Sequence, residues 1–198
     1  MNVLVAGATG KTGIRLVKEL TSRGHHPIAL VRESSDTSAL PPNTEQRQGD
    51  LTSLAGDVCA GCDAVVFAAG SGGSSGKDGT NAVDRDGAKR LIDIAAKANV
   101  SRFVMLSSVG AGEPDPDSEL AHYLQAKHDA DEHLKSSGLT YAILRPVSLT
   151  EEDGTRDMRF GDDVDVSAKA ARGDVASVLA DAVDGAQWAG TVLRMQSQ

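Results

Sequence analysis

Three glycines near the start of the chain are spaced for phosphate binding. Gly7, Gly10 and Gly13 follow a short apolar run (residues 2–6), and apolar residues at helical spacing come after them. Glycines in such a strand–turn–helix segment let the backbone approach a pyrophosphate, and the helix N-terminus presents unpaired N–H groups and the positive end of its dipole. Three side chains of the segment can add hydrogen-bond donors: Thr9, Lys11 and Thr12. The turn therefore predicts a nucleotide-binding site.

The end of the second predicted strand (residues 27–31) bears on which nucleotide binds. An NAD site has Asp or Glu there, which accepts hydrogen bonds from the adenosine ribose. Here Arg32 follows the strand, and its guanidinium is suited to bidentate binding of a 2′-phosphate, with Ser34 and Ser35 close enough to assist. The sequence therefore favours NADP(H). NAD(H) is the alternative if Glu33 binds the ribose instead.

A further loop is expected to contact the adenine. It contains Gly49, Asp50 and Leu51. We expect the Asp50 carboxylate to accept a hydrogen bond from the exocyclic amine, and Leu51 is counted with it among the cofactor contacts.

Apolar runs and helical periodicities alternate along the chain and would position these residues. Predicted strands cover residues 2–6, 27–31, 63–69, 102–106, 141–144 and 191–195. Predicted helices cover residues 11–23, 81–98, 118–136 and 172–183, with Asp117 or Ser118 capping the third. Because a parallel crossover needs a helix-length connection, this alternation predicts an α/β fold of the Rossmann type, a doubly wound parallel sheet with helices on both faces.

The length of 198 residues fits a single domain, taken to span residues 1–198. Three loops are expected to form a minimal substrate-binding portion: residues 70–80, 109–118 and 146–170. The first contains a Gly/Ser-rich stretch (residues 70–79), which either covers a ligand at the strand ends or is a solvated linker.

Composition and charge argue against several classes of partner. The net charge is −8 without a basic stripe, which makes nucleic acid a poor partner. No run approaches the ~20 apolar residues of a membrane span, and no signal-peptide pattern is visible, so a cytoplasmic location is expected. Cys59 and Cys62 form one C-x-x-C pair, short of the four ligands of a structural zinc site, and no metal is expected.

Seven short motifs follow one another along the chain. They are Gly-Ala-Thr-Gly-Lys-Thr-Gly (7–13), Leu-Val-Arg (30–32), Gly-Asp-Leu (49–51), Phe-Ala-Ala-Gly (67–70), Val-Met-Leu-Ser-Ser-Val-Gly (104–110), Tyr-Leu-Gln-Ala-Lys (123–127) and Leu-Arg-Pro (144–146). This succession resembles the atypical short-chain dehydrogenases/reductases, the NAD(P)-binding group allied to the extended epimerase-type enzymes. The resemblance extends from residue 1 to about residue 183.

The resemblance implies a Ser-Tyr-Lys catalytic set. Tyr123 and Lys127 stand four residues apart, so one helix presents both on a single face. A tyrosine with an ordinary pKa near ~10 is a poor acid–base catalyst at neutral pH, and a nearby ammonium favours the phenolate. The family lysine also hydrogen-bonds the nicotinamide ribose, so Lys127 is counted as a cofactor contact. Matching the strand end to the family pattern selects Ser108 over Ser107 as the serine that orients the substrate.

The same resemblance adds residues around the nicotinamide half of the cofactor. These expected contacts are Ala68, Ala69, Gly70 and Pro146. Val147 stands where many relatives carry glycine, so the shape of the pocket there departs from the family pattern. Asp174, at the start of the last predicted helix, is interpreted as a capping residue.

Together these expectations describe an NADP(H)-dependent oxidoreductase that acts on a small carbonyl or alcohol substrate. An epimerase or dehydratase that uses a tightly bound cofactor is a close variant. A non-catalytic NADP(H) redox sensor is an alternative from a different class. Only a short segment follows residues 144–146, which makes a large substrate less expected. The chain is expected to be a monomer or a homodimer.

Overall fold

Parallel strands form the centre of the computed structural model, which describes residues 1–72 and 76–198. The strands are β1 (Asn2–Ala6), β2 (His26–Val31), β3 (Glu45–Gln48), β4 (Ala64–Phe67), β5 (Arg102–Leu106), β6 (Tyr141–Pro146), β7 (Ser148–Thr150), β8 (Met158–Phe160), β9 (Lys169–Ala171) and β10 (Thr191–Ser197). Within the described residues, one eight-stranded sheet has the order β3-β2-β1-β4-β5-β6-β10-β8, and β7 pairs separately with β9. In the main sheet, only the β8–β10 pair of the described strands is antiparallel.

Helices cover both faces of the sheet. They are α1 (Lys11–Ser22), α2 (Gly76–Gly79), a π-helical segment (Thr80–Gly87), α3 (Ala88–Lys97), α4 (Ala121–Ser136) and α5 (Arg172–Asp184), with short 3₁₀ turns at Gly161–Asp163 and Ala186–Trp188. Apolar residues of α1 and α5 pack in one core cluster, and those of α3 and α4 in the other. In the described parts of the chain, no helix is both long enough and apolar enough to cross a membrane.

This architecture confirms the predicted Rossmann-type fold. The predicted strand at residues 102–106 has the observed bounds of β5, and the predicted helices are present within a few residues. The strand β3 has no counterpart among the predictions, because its four residues are all polar or charged and it lies at the sheet edge. The strands β7, β8 and β9 are three residues each, too short for a periodicity to show.

Two helix starts differ from the predictions. The predicted helix at 81–98 begins as the π-helical segment, which runs directly into α3. The helix α4 begins at Ala121, and neither Asp117 nor Ser118 caps it; the Ser118 hydroxyl instead accepts a hydrogen bond from the Leu120 N–H in the preceding turn (3.1 Å).

The site lies at the point where the strand order of the sheet changes direction. The first strand, β1, lies between β2 and β4, so the chain leaves it toward one side and returns on the other. In such sheets ligands bind beyond the carboxyl ends of the strands at this point. The Gly/Ser-rich loop follows β4 at the same edge, and its residues 73–75 lie outside the described residues.

Candidate active site

The glycine turn between β1 and α1 is built on close backbone contacts. Gly7 has a φ of +83°, and a Cβ there would lie 2.6 Å from Ala69 Cα. A Cβ on Gly13 would overlap the Gly7 carbonyl oxygen. The Gly7 oxygen accepts a hydrogen bond from the Gly10 N–H (3.0 Å), which closes the turn. This backbone cradle at a helix N-terminus fits the pyrophosphate of a dinucleotide.

A cavity of about 690 Å³ extends from this turn to α4. Its walls come from the glycine turn, the end of β4, the π-helical segment, the end of β5 and the first turns of α4. Of the predicted cofactor and catalytic residues, those that line it are Gly10, Lys11, Thr12, Ala68, Ala69, Gly70, Tyr123 and Lys127. The tertiary structure thus brings together groups that are far apart in the sequence.

Tyr123 and Lys127 face one another across one turn of α4. The Lys127 ammonium lies 5.7 Å from the centroid of the Tyr123 ring, and the lysine is 3% exposed. Its Nζ is 3.1 Å from Asp84 Oδ1 and donates a long hydrogen bond to the Leu106 carbonyl (3.4 Å). Burial lowers the pKa of Lys127, but the nearby Tyr123 and Asp84 outweigh this effect, so the pKa lies above its usual value.

The two serines at the end of β5 have different surroundings. Ser107 lines the cavity, and its hydroxyl donates a hydrogen bond to Asp131 Oδ2 (2.8 Å). The Ser108 hydroxyl donates to the Val109 carbonyl (3.2 Å), and Ser108 is not part of the described cavity lining. The role of the substrate-orienting serine therefore has two candidates.

Asp131 connects Ser107 to the Leu-Arg-Pro motif. Its carboxylate is fully buried and lies 3.0 Å from the Arg145 guanidinium. Burial raises the pKa of Asp131, while Arg145 and Ser107 act in the opposite direction. This buried group holds the Ser107 hydroxyl in a fixed direction at the cavity wall.

The predicted adenosine end forms a separate, more open cleft of about 550 Å³. Its lining is Arg32, Glu33, Ser34, Gln48, Gly49 and Asp50. Ser35 Oγ accepts a hydrogen bond from the Arg32 backbone N–H (3.0 Å) and so fixes the turn that carries the arginine. Hydrogen bonds from the Thr52 hydroxyl and N–H to the carboxylate lower the pKa of Asp50. Leu51 packs beside this cleft against the apolar core.

Pro146, Val147 and Asp174, which the sequence analysis singled out, are buried in the protein interior. Pro146 and Val147 are buried and do not belong to the described lining of either cavity. Asp174 lies in the first turn of α5, where its charge suits the helix dipole as interpreted, but its hydrogen bonds come from groups outside that helix. Its buried carboxylate accepts hydrogen bonds from the Arg156 N–H (2.9 Å) and the Ser197 hydroxyl (2.6 Å), so it ties a loop and the last strand to α5.

The C-x-x-C pair shows no sign of a reactive thiol. Cys59 and Cys62 are free, and burial raises the pKa of Cys59 to about 12. The Arg47 guanidinium donates a hydrogen bond to Cys62 Sγ (3.2 Å). In residues 1–72 and 76–198, no group of three or more His, Cys, Asp or Glu side chains is placed to hold a metal ion.

Asp84 and Arg172 are among the charged cavity residues that the sequence analysis did not assign to the site. Asp84 lies in the π-helical segment and is fully buried beside Lys127. Arg172, the first residue of α5, donates a hydrogen bond to Thr12 Oγ1 (2.9 Å) and so stands next to the glycine turn. Glu151 pairs with Lys11 (2.8 Å) and lies 3.4 Å from Arg172. Neither Asp84 nor Arg172 was expected at the site, because each reaches it through packing between segments that are far apart in the sequence.

Comparison with known proteins also indicates an NAD(P)H-binding protein. A family model described as NAD(P)H-binding matches residues 7–186. A Bacillus subtilis protein named as an uncharacterized sugar epimerase, YhfK, is 38% identical over 190 residues, which cover 93% of this chain and 88% of that protein.

Two solved structures are similar along the whole chain. A Bacillus halodurans protein, named as a candidate NAD-dependent epimerase/dehydratase, has 36% sequence identity and a TM-score of 0.93, covering 100% of this chain and 94% of that one. The oxidoreductase ylbE from Lactococcus lactis has 31% identity and a TM-score of 0.88, covering 100% and 91%. This chain belongs to the NAD(P)H-binding family, among oxidoreductase- and epimerase-like proteins of the atypical short-chain dehydrogenase/reductase type.

Proposed function

We propose that the protein is an NADP(H)-dependent oxidoreductase that interconverts a small carbonyl compound and the corresponding alcohol. The observation that carries this proposal is the position of Tyr123 beside the buried Lys127 in the cavity that begins at the glycine turn. A proton donor and a cation at the far end of a dinucleotide site are what carbonyl reduction requires.

In the proposed mechanism Tyr123, Lys127 and one serine each have a separate task. NADPH, when held at the glycine turn, would supply a hydride for the substrate carbon. The Tyr123 hydroxyl donates a proton to the carbonyl oxygen as that oxygen becomes an alcohol. The Lys127 ammonium stabilises the phenolate left behind, and a serine at the end of β5 hydrogen-bonds the carbonyl and orients it. Alcohol oxidation uses the same groups in reverse.

The substrate-binding portion is proposed to be small. Leu149 brings the loop at 146–170 into the cavity, and Ser71 and Lys77 bring in the described parts of the loop at 70–80. Glu119 and Leu120, just after the loop at 109–118, complete this end. We therefore propose a compact substrate for this end of the cavity.

The cofactor preference is tested by titrating the protein with NADPH and NADH in parallel and following nicotinamide fluorescence. We expect wild type to prefer NADPH. Arg32→Ala should weaken NADPH binding about 10- to 100-fold, since one charge-assisted bidentate contact to the 2′-phosphate is lost, and should leave NADH binding within about 2-fold. Equal affinity of wild type for both nucleotides would transfer the role to Glu33, with Glu33→Ala as the check.

The two serines can be separated by matched alanine variants. We expect Ser107→Ala to lower kcat/KM for alcohol oxidation at least about 10-fold, because Ser107 lines the cavity and its oxygen, with its proton donated to Asp131, can accept a hydrogen bond from the substrate hydroxyl. Ser108→Ala should have the larger effect if the family pattern holds. The comparison requires unchanged NADPH affinity in both variants. If neither substitution alters kcat/KM, neither serine orients the substrate.

Epimerisation is a second candidate, favoured by the relatives named as a sugar epimerase and as an epimerase/dehydratase. An epimerase oxidises and re-reduces its substrate, so the stereochemistry changes without net consumption of the nucleotide. Incubation of candidate sugars with catalytic NADP⁺, followed by NMR of the product, separates the two reactions. Net reduction of the NADP⁺ to NADPH, with an oxidised sugar as product, supports the oxidoreductase, and a new epimer with no net change in NADP⁺ supports the epimerase.

A further inference from the structure

A buried ion pair links the π-helical segment to the catalytic helix. Lys127 Nζ lies 3.1 Å from Asp84 Oδ1, and the side chains of the lysine and the aspartate are 4% and 0% exposed. An ammonium in such a place has lost most of its hydration, and it stays charged only if nearby groups replace the water. Asp84 has no part in the mechanism described above.

We propose that Asp84 is a positioning residue, the counter-ion that keeps Lys127 charged and directed into the cavity beside Tyr123. The proposal deepens the proposed function, on which the catalytic meaning of Lys127 rests. Without a carboxylate at this position, the lysine would either lose its proton or move toward another partner. In both cases Tyr123 would lose the cation that stabilises its phenolate.

The backbone that follows β4 holds the Asp84 carboxylate in position beside the Lys127 ammonium. The second oxygen, Oδ2, accepts a hydrogen bond from the Ser71 N–H (3.0 Å) just beyond β4. A Cβ on Gly70 would lie 3.3 Å from Oδ1, so the backbone after β4 passes close to this carboxylate. π-Helical turns are rare and occur frequently at functional sites. Here the segment carries Asp84 on its cavity-facing side.

Other groups around Lys127 act less directly. On α4 itself, Tyr123 faces the lysine, and Asp131 acts on it from one turn further along. Asp131 is already paired with Arg145 of β6 and with Ser107, which follows β5 directly. The β4 side contributes the Phe67 ring, 5.7 Å from Nζ, and β5 the Leu106 carbonyl. Ionisable residues elsewhere in the cavity lining are Lys11, Lys77, Glu119, His122 and Arg172. Asp84 is thus the carboxylate in direct contact with the ammonium.

The test is a pH titration of the lysine Cε resonances in ¹³C-lysine-labelled protein, with Lys127 assigned by its loss in Lys127→Met. In wild type we expect the Lys127 resonance to keep its ammonium position beyond the pH at which the exposed lysines titrate, because Tyr123 and Asp84 raise its pKa. In Asp84→Asn the midpoint should fall by about two units or more, because the amine stays buried without its counter-ion. An unchanged Lys127 titration in folded Asp84→Asn would overturn the proposal.

A matched control removes the same charge from the same segment. Asp86 is exposed and pairs with Arg85 (2.8 Å), so Asp86→Asn should leave the Lys127 titration as in wild type. An equal shift in Asp86→Asn would mean that the overall charge of the segment, rather than the contact with Asp84, determines the titration of Lys127. The titration uses protein without cofactor or substrate, so its result does not depend on the proposed function. A failure of the proposed function would appear in other experiments, as absent nucleotide binding or absent turnover.

A double variant keeps the proposal testable if Asp84→Asn unfolds. Removing the partner of a buried charge is costly, whereas removing both charges is often much less so. We therefore expect Asp84→Asn/Lys127→Met to have a higher Tm than Asp84→Asn alone. A double variant with a Tm equal to or below that of the single variant would contradict the role of Asp84 as counter-ion.

Discussion

Tyr123→Phe is expected to lower turnover by about 10²- to 10⁴-fold while the affinity for NADPH stays within about 2-fold of wild type. The substitution removes only the hydroxyl, the proposed proton donor, and leaves a ring of the same shape above Lys127. The measurement is NADPH oxidation in a screen of small aldehydes and ketones, with the nucleotide affinity determined by fluorescence on the same preparations.

The chain provides its own control for this experiment. Its other tyrosine, Tyr141, begins β6 and packs against the apolar core formed with α3 and α4. Tyr141→Phe should therefore retain wild-type turnover. Undiminished activity in Tyr123→Phe would refute the assignment of the proton donor. A different result would support the redox-sensor alternative: wild type binds NADPH but reduces none of the carbonyls, and Tyr123→Phe binds NADPH equally well.

Gly13→Ala is the second substitution with a large expected effect. Its Cβ would overlap the Gly7 carbonyl oxygen and come within 2.8 Å of Ala8 Cα, so the turn must open. We expect the affinities for NADPH and NADH to fall together, by about 100-fold or more, because both nucleotides share the pyrophosphate that this backbone is shaped to hold. This common loss differs from the selective loss expected for Arg32→Ala.

Gly56→Ala is the matched control, because a Cβ at Gly56 meets no atom within 4 Å. It should bind both nucleotides as wild type does. Circular dichroism of Gly13→Ala shows whether the fold survives the opened turn. A folded Gly13→Ala that binds NADPH normally would exclude the glycine turn as the pyrophosphate site.

Local signals were sufficient for most of the fold. The central parallel strands consist mainly of apolar residues, as in β4 (Ala64–Phe67), and the predicted helices lie between them. The signals failed where a segment owes its structure to a neighbour. The polar β3 (Glu45–Gln48) is a strand because it pairs with β2 at the sheet edge, a partnership that its own residues do not encode.

The sequence by itself determined the Rossmann architecture, through the alternation of strands and helices along the chain, and the glycine turn, through its local spacing. The Tyr123–Lys127 pair was implied by the family resemblance, and its spacing of four residues places both side chains on one helix face. Glycine spacing, strand-end position and helical periodicity are all local properties. The predicted roles of Arg32 and Ser108 are hypotheses that the experiments above test, and the role of Pro146 stays a prediction.

Only the tertiary structure decided how the cavity is charged and which groups face it. Asp84 and Lys127 are more than forty positions apart in the sequence, yet the packing of the π-helical segment against α4 makes them an ion pair. Arg172 reaches Thr12 only because α5 packs beside α1. Ser107 and Ser108 are adjacent in sequence, but the end of β5 directs them to different surroundings. The physical reason is common to all three cases: burial and the approach of distant charges arise from packing, and no short motif records them.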